Sequence, residues 1–118
     1  MAERYIYKIA SVTHWAEATE RGVFAGAAVD AADGFIHFST AGQVRETARR
    51  HFAGRDDLVL ARIEASRLGT ALRYEPSRGG DLFPHLYGQL PMSAVAWTKP
   101  LPLRPDGVHA FPDLADAA

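Results

Sequence analysis

Residues 33–43, with the sequence DGFIHFSTAGQ, demand three different backbone conformations within a short stretch. Gly34 adopts a positive φ without steric cost, so it predicts a turn. The apolar run at 35–38 is short and favours a buried strand. Thr40 and Gln43 have the spacing of a capping box, which predicts that a helix begins at Thr40. A turn, a strand and a helix start must therefore follow one another, and the rest of the fold has to accommodate them.

Three polar side chains, those of His37, Ser39 and Thr40, lie where this strand passes into the helix. Loops at strand ends commonly carry functional residues, and the backbone N–H groups of a helix start favour anions. We therefore expect the functional site at this junction. Because histidines within strands also serve as hydrogen-bonded core residues, a structural interpretation of His37 stays open beside the functional one.

The composition fits one globular domain, which we expect to span residues 1–118 with a frayed tail at 113–118. The absence of cysteine excludes disulfides, thiolate metal sites and a cysteine nucleophile. A formal net charge of −1 gives no reason to expect binding to nucleic acid. Because the first residues lack the apolar core of a signal peptide and no run is long enough for a membrane span, we expect a cytoplasmic protein with no membrane partner. The oligomeric state stays open.

Several strands in succession, with few helices, indicate an α+β fold. Apolar runs predict five strands, at residues 5–9, 35–38, 58–64, 71–75 and 94–98, with a short sixth at 109–111. The run at 58–64 is nearly continuous in apolar character and should be the central strand. Capping residues predict two helices, one at 14–21 capped by Thr13 and one at 40–52. Residues 23–32 read as a loop or short helical turn, and residues 76–93 as a long irregular segment packed against the core.

Two charged residues on the predicted strands are candidates for a role in chemistry. Lys8 interrupts the first strand, either as an edge lysine that reaches solvent or as a cation that faces a ligand. Glu75 stands at a strand end, directly before a rigid proline, where a carboxylate is either solvated or held beside a site. Neither residue carries a specific signal by itself.

The segment after Glu75 concentrates residues that suit ligand binding. Arg78 can pair with phosphate or carboxylate, and the adjacent Gly79-Gly80 pair lets the backbone approach a ligand closely. His85 is held in place by a preceding proline, and Tyr87 offers a ring and a hydroxyl. We predict that these residues contribute to the same site as His37.

Two other site chemistries are less consistent with the sequence. A metal site made of His37, His85 and Glu75 would have the two-histidine, one-carboxylate composition, but the spacing lacks a compact ligand motif. A serine hydrolase would use Ser39 with a histidine, but the chain has no G-x-S-x-G elbow. We therefore predict neither a metal nor a firm cofactor.

Two motifs, GFIHFST at residues 34–40 and FPHLYG at residues 83–88, make the chain resemble a family of small bacterial proteins catalogued as a domain of unknown function. The resemblance spans residues 5–111. The fold of that family resembles the ADP-ribosyltransferases, in which a split, strongly bent β core clasps NAD. The resemblance therefore implies an ADP-ribosyltransferase-like core with two short helices, and NAD or an ADP-ribosylated compound as substrate.

The resemblance also assigns roles to individual residues. Family members commonly have histidine in the first strand, where this chain has Lys8 as the candidate ribose contact. The segment from His37 to Thr40 would line the nicotinamide end, with His37 and Ser39 orienting the ribose or the amide. Glu75, or alternatively Gln89, would be the late-strand group that stabilises positive charge on the ribose. The remaining implied roles are phosphate binding by Arg78, Gly79 and Gly80, and general-base catalysis by His85.

The sequence is therefore consistent with three functions. The first is a transferase or glycohydrolase acting at the nicotinamide–ribose bond. The second is a non-catalytic nucleotide or small-ligand binding domain, and the third is a structural or partner-binding domain whose cleft is filled by side chains. The first interpretation requires His37, Glu75 and His85 to converge on one cleft, although the last two are distant from His37 in sequence.

Overall fold

The computed structural model describes residues 4–114, apart from the side chain of Arg78, so most of the expected frayed tail lies outside the described residues. The eight strands are Tyr5–Ser11 (β1), Val23–Phe24 (β2), Ile36–His37 (β3), Leu58–Glu64 (β4), Leu72–Pro76 (β5), Leu82–Leu86 (β6), Leu90–Pro91 (β7) and Val95–Pro100 (β8). The three α-helices are Val12–Arg21 (α1), Ala28–Asp33 (α2) and Val44–His51 (α3). Short 3₁₀ segments occupy Ala65–Ala71, Arg78–Gly80 and Met92–Ala94. The α+β fold class is confirmed.

A first antiparallel sheet has the order β1-β4-β8, so the predicted central strand is in the centre. Leu60, Ala61 and Ile63 of β4 are fully buried, which explains its nearly continuous apolar sequence. Two apolar clusters lie on either side, one containing Ile6 and the other containing Tyr7. Successive residues of β1 thus alternate between the two clusters, as the pleat of a strand requires.

A second antiparallel sheet has the order β3-β6-β5 and pairs His37 directly with His85. It meets the first sheet at an isolated bridge between Tyr7 and Ser39. The Tyr7 N–H donates to the Ser39 carbonyl at 2.7 Å, and the Ser39 N–H donates back to the Tyr7 carbonyl at 2.9 Å. The bridge brings β3, and hence the GFIHFST segment, against β1.

The predicted irregular segment at 76–93 is wrong in its main point, because it contains β6 and β7. β6 lies between β3 and β5, and its Pro84 explains the error. Proline normally argues against a central strand, since it has no N–H to donate to the ladder. Here the Pro84 carbonyl still accepts a hydrogen bond from the Phe38 N–H at 3.0 Å.

The helix starts also differ from expectation. α1 is capped by Ser11, whose Oγ accepts from the His14 N–H at 3.1 Å, and not by Thr13. α3 begins at Val44 instead of Thr40, because residues 40–43 first form a tight turn. Half of the capping box nevertheless forms, since the Thr40 N–H donates to Gln43 Oε1 at 3.0 Å.

Two smaller expectations are corrected by the structure. Residues 23–32 contain β2 and most of α2, so residues 4–114 contain three α-helices and not two. At residues 109–111 only His109 forms a bridge, to Leu103, and no strand is assigned there within the described residues. No helix within residues 4–114 is both long and apolar enough to cross a membrane.

Candidate functional site

A cleft of about 720 Å³ runs along the open edge of β1. β1 contributes residues 7–11 to its wall, and the remainder comes from α1, α2, β3, α3, β6 and the segments that connect them. The cleft exists because β1 pairs with the second sheet only at Tyr7, so the edge from residue 8 to residue 11 has no neighbouring strand among the described residues. His37, Ser39 and His85 all line it.

The backbone of Ile9 faces this cleft. In an antiparallel ladder, N–H and C=O groups point alternately toward and away from the neighbouring strand. Tyr7 directs its groups away from β4, to Ser39, so Ile9 directs its own groups the same way. Neither group has a hydrogen-bond partner within residues 4–114, although Ile9 is buried. A buried donor and acceptor are thus available to a ligand.

His37 is held at both ring nitrogens by carboxylates. Its Nδ1 lies 2.6 Å from Asp30 Oδ1, and its Nε2 lies 2.8 Å from Asp33 Oδ2. Ionised carboxylates only accept hydrogen bonds, so a doubly protonated, positively charged ring satisfies both contacts. The His37 N–H also donates to Asp30 at 3.0 Å, which fixes the backbone as well as the ring.

Asp30 is the centre of a buried polar network that the sequence prediction missed. Besides the two bonds from His37, it accepts from the Ala27 N–H at 2.7 Å and from Lys8 Nζ at 3.2 and 3.3 Å. Burial opposes ionisation of Asp30, but Lys8 and the bonds from His37 and Ala27 outweigh it, and its pKa lies below the usual value. Burial lowers the pKa of Lys8, although Asp30 acts in the opposite direction.

The interpretation of Lys8 as an edge lysine that reaches solvent is wrong. Its side chain is 8% exposed and its ammonium group donates to Asp30 and, at 2.9 Å, to the His37 carbonyl. Phe24 and Phe38 lie beneath it, with ring centres 5.8 and 5.9 Å from Nζ. Lys8 contributes to the cleft wall, but its charge is used inside the protein.

His85 is held differently, by one carboxylate at the protein surface. Glu75 Oε1 lies 2.8 Å from His85 Nδ1 and accepts from the Tyr87 hydroxyl at 2.8 Å. The bond from His85, followed by that from Tyr87, lowers the pKa of Glu75, and the same contact raises the pKa of the Tyr87 phenol. A proton on Nδ1 leaves His85 Nε2 as an acceptor, and this nitrogen has no partner within the described residues.

The ring of Phe35 joins the two histidines. It stacks on His85 with ring centres 4.1 Å apart and contacts His37 at 4.7 Å and Tyr87 at 5.3 Å. The two imidazole rings are 5.6 Å apart. The structure therefore brings His37, Glu75 and His85 into one connected group, but only the two histidines line the cleft on which all three are expected to converge.

The other predicted site residues are more scattered. Ser39 is in the cleft wall, with its hydroxyl 2.9 Å from that of Thr47. Four others lie outside the wall: Thr40, Gly79, Gly80 and Tyr87. The two glycines are on an exposed 3₁₀ turn, and the Arg78 side chain lies outside the described part of the structure. Gln89 lines a separate cavity of about 230 Å³.

Sequence reasoning missed three residues of the site: Asp30, Asp33 and Phe35. Asp30 and Asp33 are separated by three positions in a segment without a clear pattern, and His37 follows Asp33 at the next helical spacing. A buried aspartate seldom occurs without a partner, and the unexplained Lys8 was the signal that one existed.

The histidines and Glu75 do not resemble a metal centre. Within the described residues no group of three or more histidine, aspartate or glutamate side chains is arranged to hold an ion.

Comparisons with known proteins agree with the fold. A family model described as "Protein of unknown function (DUF952)" matches residues 9–98. The sequence is 49% identical to protein CC0527 from Caulobacter crescentus, a structural-genomics target whose crystal structure superposes with a TM-score of 0.86 over 90% of this chain and 93% of that one. Its solution NMR structure gives a TM-score of 0.81, covering 90% of this chain and 91% of that one. No curated protein matches the sequence.

Proposed function

This chain belongs to the DUF952 family of proteins of unknown function, and we propose that it acts on NAD or an ADP-ribose group bound in the cleft beside β1. The reaction is cleavage of the nicotinamide–ribose bond, by a glycohydrolase or a transferase. The carrying observation is the pair of imidazole rings in the cleft wall, each with its Nδ1 fixed by a carboxylate. Such pairing orients an imidazole for acid–base work.

The open edge of β1 supports this choice of substrate. The Ile9 N–H and C=O form a donor and an acceptor side by side, which complements a primary carboxamide such as that of nicotinamide. Phe38 and Phe83 add apolar surface to the same wall, which suits an aromatic ring. A split core, in which two three-stranded sheets meet at the Tyr7–Ser39 bridge, also supports an ADP-ribosyltransferase-like fold.

In the proposed hydrolysis, the bond between ribose C1 and the pyridinium nitrogen breaks, and its electron pair leaves with neutral nicotinamide. Water attacks C1 and gives its proton to His85 Nε2, so the products are ADP-ribose, nicotinamide and one proton. Glu75 keeps the His85 tautomer that can accept this proton. In a transferase, the hydroxyl or amine of an acceptor replaces the water.

The remaining roles follow from position. Asp33 is the carboxylate in the cleft wall, whereas Glu75 is not part of that wall. We therefore assign stabilisation of the positive charge on the ribose to Asp33, and assign Glu75 to positioning His85. A ribose hydroxyl would take the place of Asp33 as the acceptor from His37 Nε2, and Ser39 would donate to a second hydroxyl.

The proposal is tested with NAD, ADP-ribose, nicotinamide and AMP in thermal-shift titrations, followed by an assay of nicotinamide release. A ligand present at about 100 times its Kd adds roughly 2.7 kcal/mol to the free energy of unfolding, which shifts Tm visibly. We expect NAD to stabilise the protein and to be cleaved, and His85→Ala to abolish cleavage with binding retained. Arg49→Gln, at an exposed arginine outside the cleft, serves as the control. No stabilisation by any of the four ligands at millimolar concentration would refute the proposal.

A non-catalytic nucleotide-binding domain is the second candidate, and one observation favours it. Asp33 and Glu75 are both already hydrogen-bonded to histidines, so each carboxylate has part of its charge compensated before a ligand binds. The two candidates differ in a single measurement. Tm rises with NAD in both, but nicotinamide is released only if the protein is an enzyme.

A further inference from the structure

Four of the five histidines of the chain line the same cleft: His14, His37, His51 and His85. Arg55 lines it as well, and so does Lys8, whose charge is paired with the buried Asp30, whereas Asp33 is the one carboxylate in the described wall. This concentration of basic side chains contrasts with a formal net charge of −1 for the whole chain. The cleft is therefore suited to an anionic ligand.

The basic residues fall at two ends of the cleft. His37 and His85 lie where Tyr7 meets the second sheet. His14, His51 and Arg55 come from the first turn of α1, the last residue of α3 and the turn that follows α3. Since α1 begins directly after Ser11, this second end lies at the opposite end of the β1 edge.

The second end has free hydrogen-bonding capacity. The rings of His14 and His51 have no hydrogen-bond partner within residues 4–114, although the His14 ring also contacts Phe24, with ring centres 5.2 Å apart. Arg55 donates from Nε and Nη2 to Asp57 at 3.0 and 2.9 Å, but Nη1 is not used. This ion pair is half exposed, and such pairs contribute little, so an incoming anion can compete with Asp57.

The distance between the two ends fits a nucleotide. The four-residue step from Tyr7 to Ser11 corresponds to about 13 Å of extended strand. A ribose together with a diphosphate occupies a span of this order. A ligand whose ribose lies at His85 therefore carries its phosphates toward Arg55.

We propose that His14, His51 and Arg55 form a subsite for the diphosphate of the ligand. It differs from the sequence-based assignment of phosphate binding to Arg78, Gly79 and Gly80, because the two glycines lie outside the cleft wall. The identity of the whole ligand as a nucleotide rests on the proposed function. The subsite itself is a claim about phosphate alone.

The test uses inorganic pyrophosphate, which has neither ribose nor nicotinamide. In NMR titrations of the full chain at constant ionic strength, we expect the ring resonances of His14 and His51 to shift, while the indole resonance of Trp97, which lies outside the cleft wall, does not. Arg55→Gln should weaken pyrophosphate binding roughly tenfold, which is the usual contribution of a charge-assisted hydrogen bond. Arg49→Gln is the matched control, since Arg49 is also an exposed arginine paired with a nearby carboxylate but is not part of the cleft.

Absence of histidine shifts at millimolar pyrophosphate, or equal weakening by Arg55→Gln and Arg49→Gln, would overturn the subsite. These outcomes are independent of catalysis. If pyrophosphate binds but no nicotinamide is released, the subsite is supported and the enzymatic function is refuted. If nicotinamide is released and Arg55→Gln has the same KM for NAD as the parent protein, the enzymatic function is supported and the subsite is refuted.

Discussion

His37 and His85, two of the four histidines that line the cleft, are fixed by opposite means. His37 depends on an interior network, in which Asp30 is 2% exposed and Lys8 is 7% exposed. His85 depends on Glu75, a residue at the surface that is shared with Tyr87. The first arrangement couples the orientation of a ring to the stability of the whole domain, because the partner charges cannot be solvated separately. The second lets the orientation be changed with little effect on folding.

The difference also separates what the two rings can do. Both nitrogens of His37 are engaged by carboxylates, so neither is free to accept a proton. His85 has one nitrogen engaged and one left as an acceptor, so of these two rings it is the one with the form of a general base. The comparison is testable by removing the partners one at a time.

The largest effect is expected for Asp30→Asn. This change leaves the Lys8 ammonium buried without a counter-charge and weakens the bonds to His37 and Ala27. We expect the free energy of unfolding to fall by about 3–5 kcal/mol, the usual cost of breaking a buried ion pair. Urea denaturation measures it, with the exposed Asp56→Asn as control. A loss no larger than that of the control would mean that the network does not support the fold.

Lys8→Met should cost less than Asp30→Asn. Without the ammonium, Asp30 keeps three N–H donors from His37 and Ala27, so its charge remains partly compensated. We expect a loss of about 1–3 kcal/mol. Lys99→Met, at an exposed lysine, should change stability by less than about 0.5 kcal/mol in the same urea experiment. A loss equal to that of Asp30→Asn would show that the ion pair, and not the hydrogen bonds, dominates the network.

Glu75→Gln should change the acid dependence of stability while leaving the neutral-pH fold intact. The ordinary pKa of this carboxyl is 4.5, and the folded state holds it lower. As pH falls below about 4.5, the unfolded chain binds the proton first, so the contribution of Glu75 is present at neutral pH and is lost toward the lower, folded-state pKa. When thermal unfolding is measured from pH 7 downward, Tm should therefore fall less steeply with pH in the variant than in the parent protein.

The nitrogen chemical shifts of the histidine rings in the same Glu75→Gln variant report which ring nitrogen of His85 carries the proton. The amide accepts more weakly than the carboxylate, so the His85 tautomer with a proton on Nε2 should become more populated, while the His37 shifts stay unchanged. Unchanged shifts for His85 would show that Glu75 does not set its tautomer.

Tyr87→Phe is expected to have the smallest effect. It removes one of two hydrogen bonds to Glu75, so the pKa of Glu75 should move back toward 4.5 without reaching it. The reciprocal experiment follows the Tyr87 phenol by ultraviolet titration. Its raised pKa should return toward 10 in Glu75→Gln. If the phenol titrates in the same way in the parent protein and in Glu75→Gln, the hydrogen bond between Tyr87 and Glu75 is contradicted.

Much of this architecture could be predicted from local sequence, because its causes are local. The central strand 58–64 follows from continuous apolar character, and the end of α1 follows from Gly22, which adopts φ 83°. The segment 76–93 could not be predicted in the same way. β6 is a strand because two partners hold it, despite Pro84, and neither partner is adjacent in sequence.

The candidate site is likewise divided between residues that local sequence could predict and residues that depend on the tertiary fold. His37 and His85 could be singled out because polar residues interrupt apolar runs there. Asp30 could not, since a carboxylate in a small-residue segment resembles a surface residue until Lys8 is known to lie against it. The pairing depends on how α2 packs on β1, which is a property of the tertiary fold.

The open edge of β1 has a consequence for aggregation. Unpaired N–H and C=O groups on an edge strand are a template for another strand, from the same or a different chain. Here Tyr7 and Ile9 are 2% and 6% exposed, so this edge lies at the bottom of a cleft. A variant that loosens β3 or α3 would uncover a strand edge ready for intermolecular pairing. Light scattering would then detect aggregation before any loss of secondary structure is measurable. A bound ligand would suppress this aggregation by occupying the edge of β1.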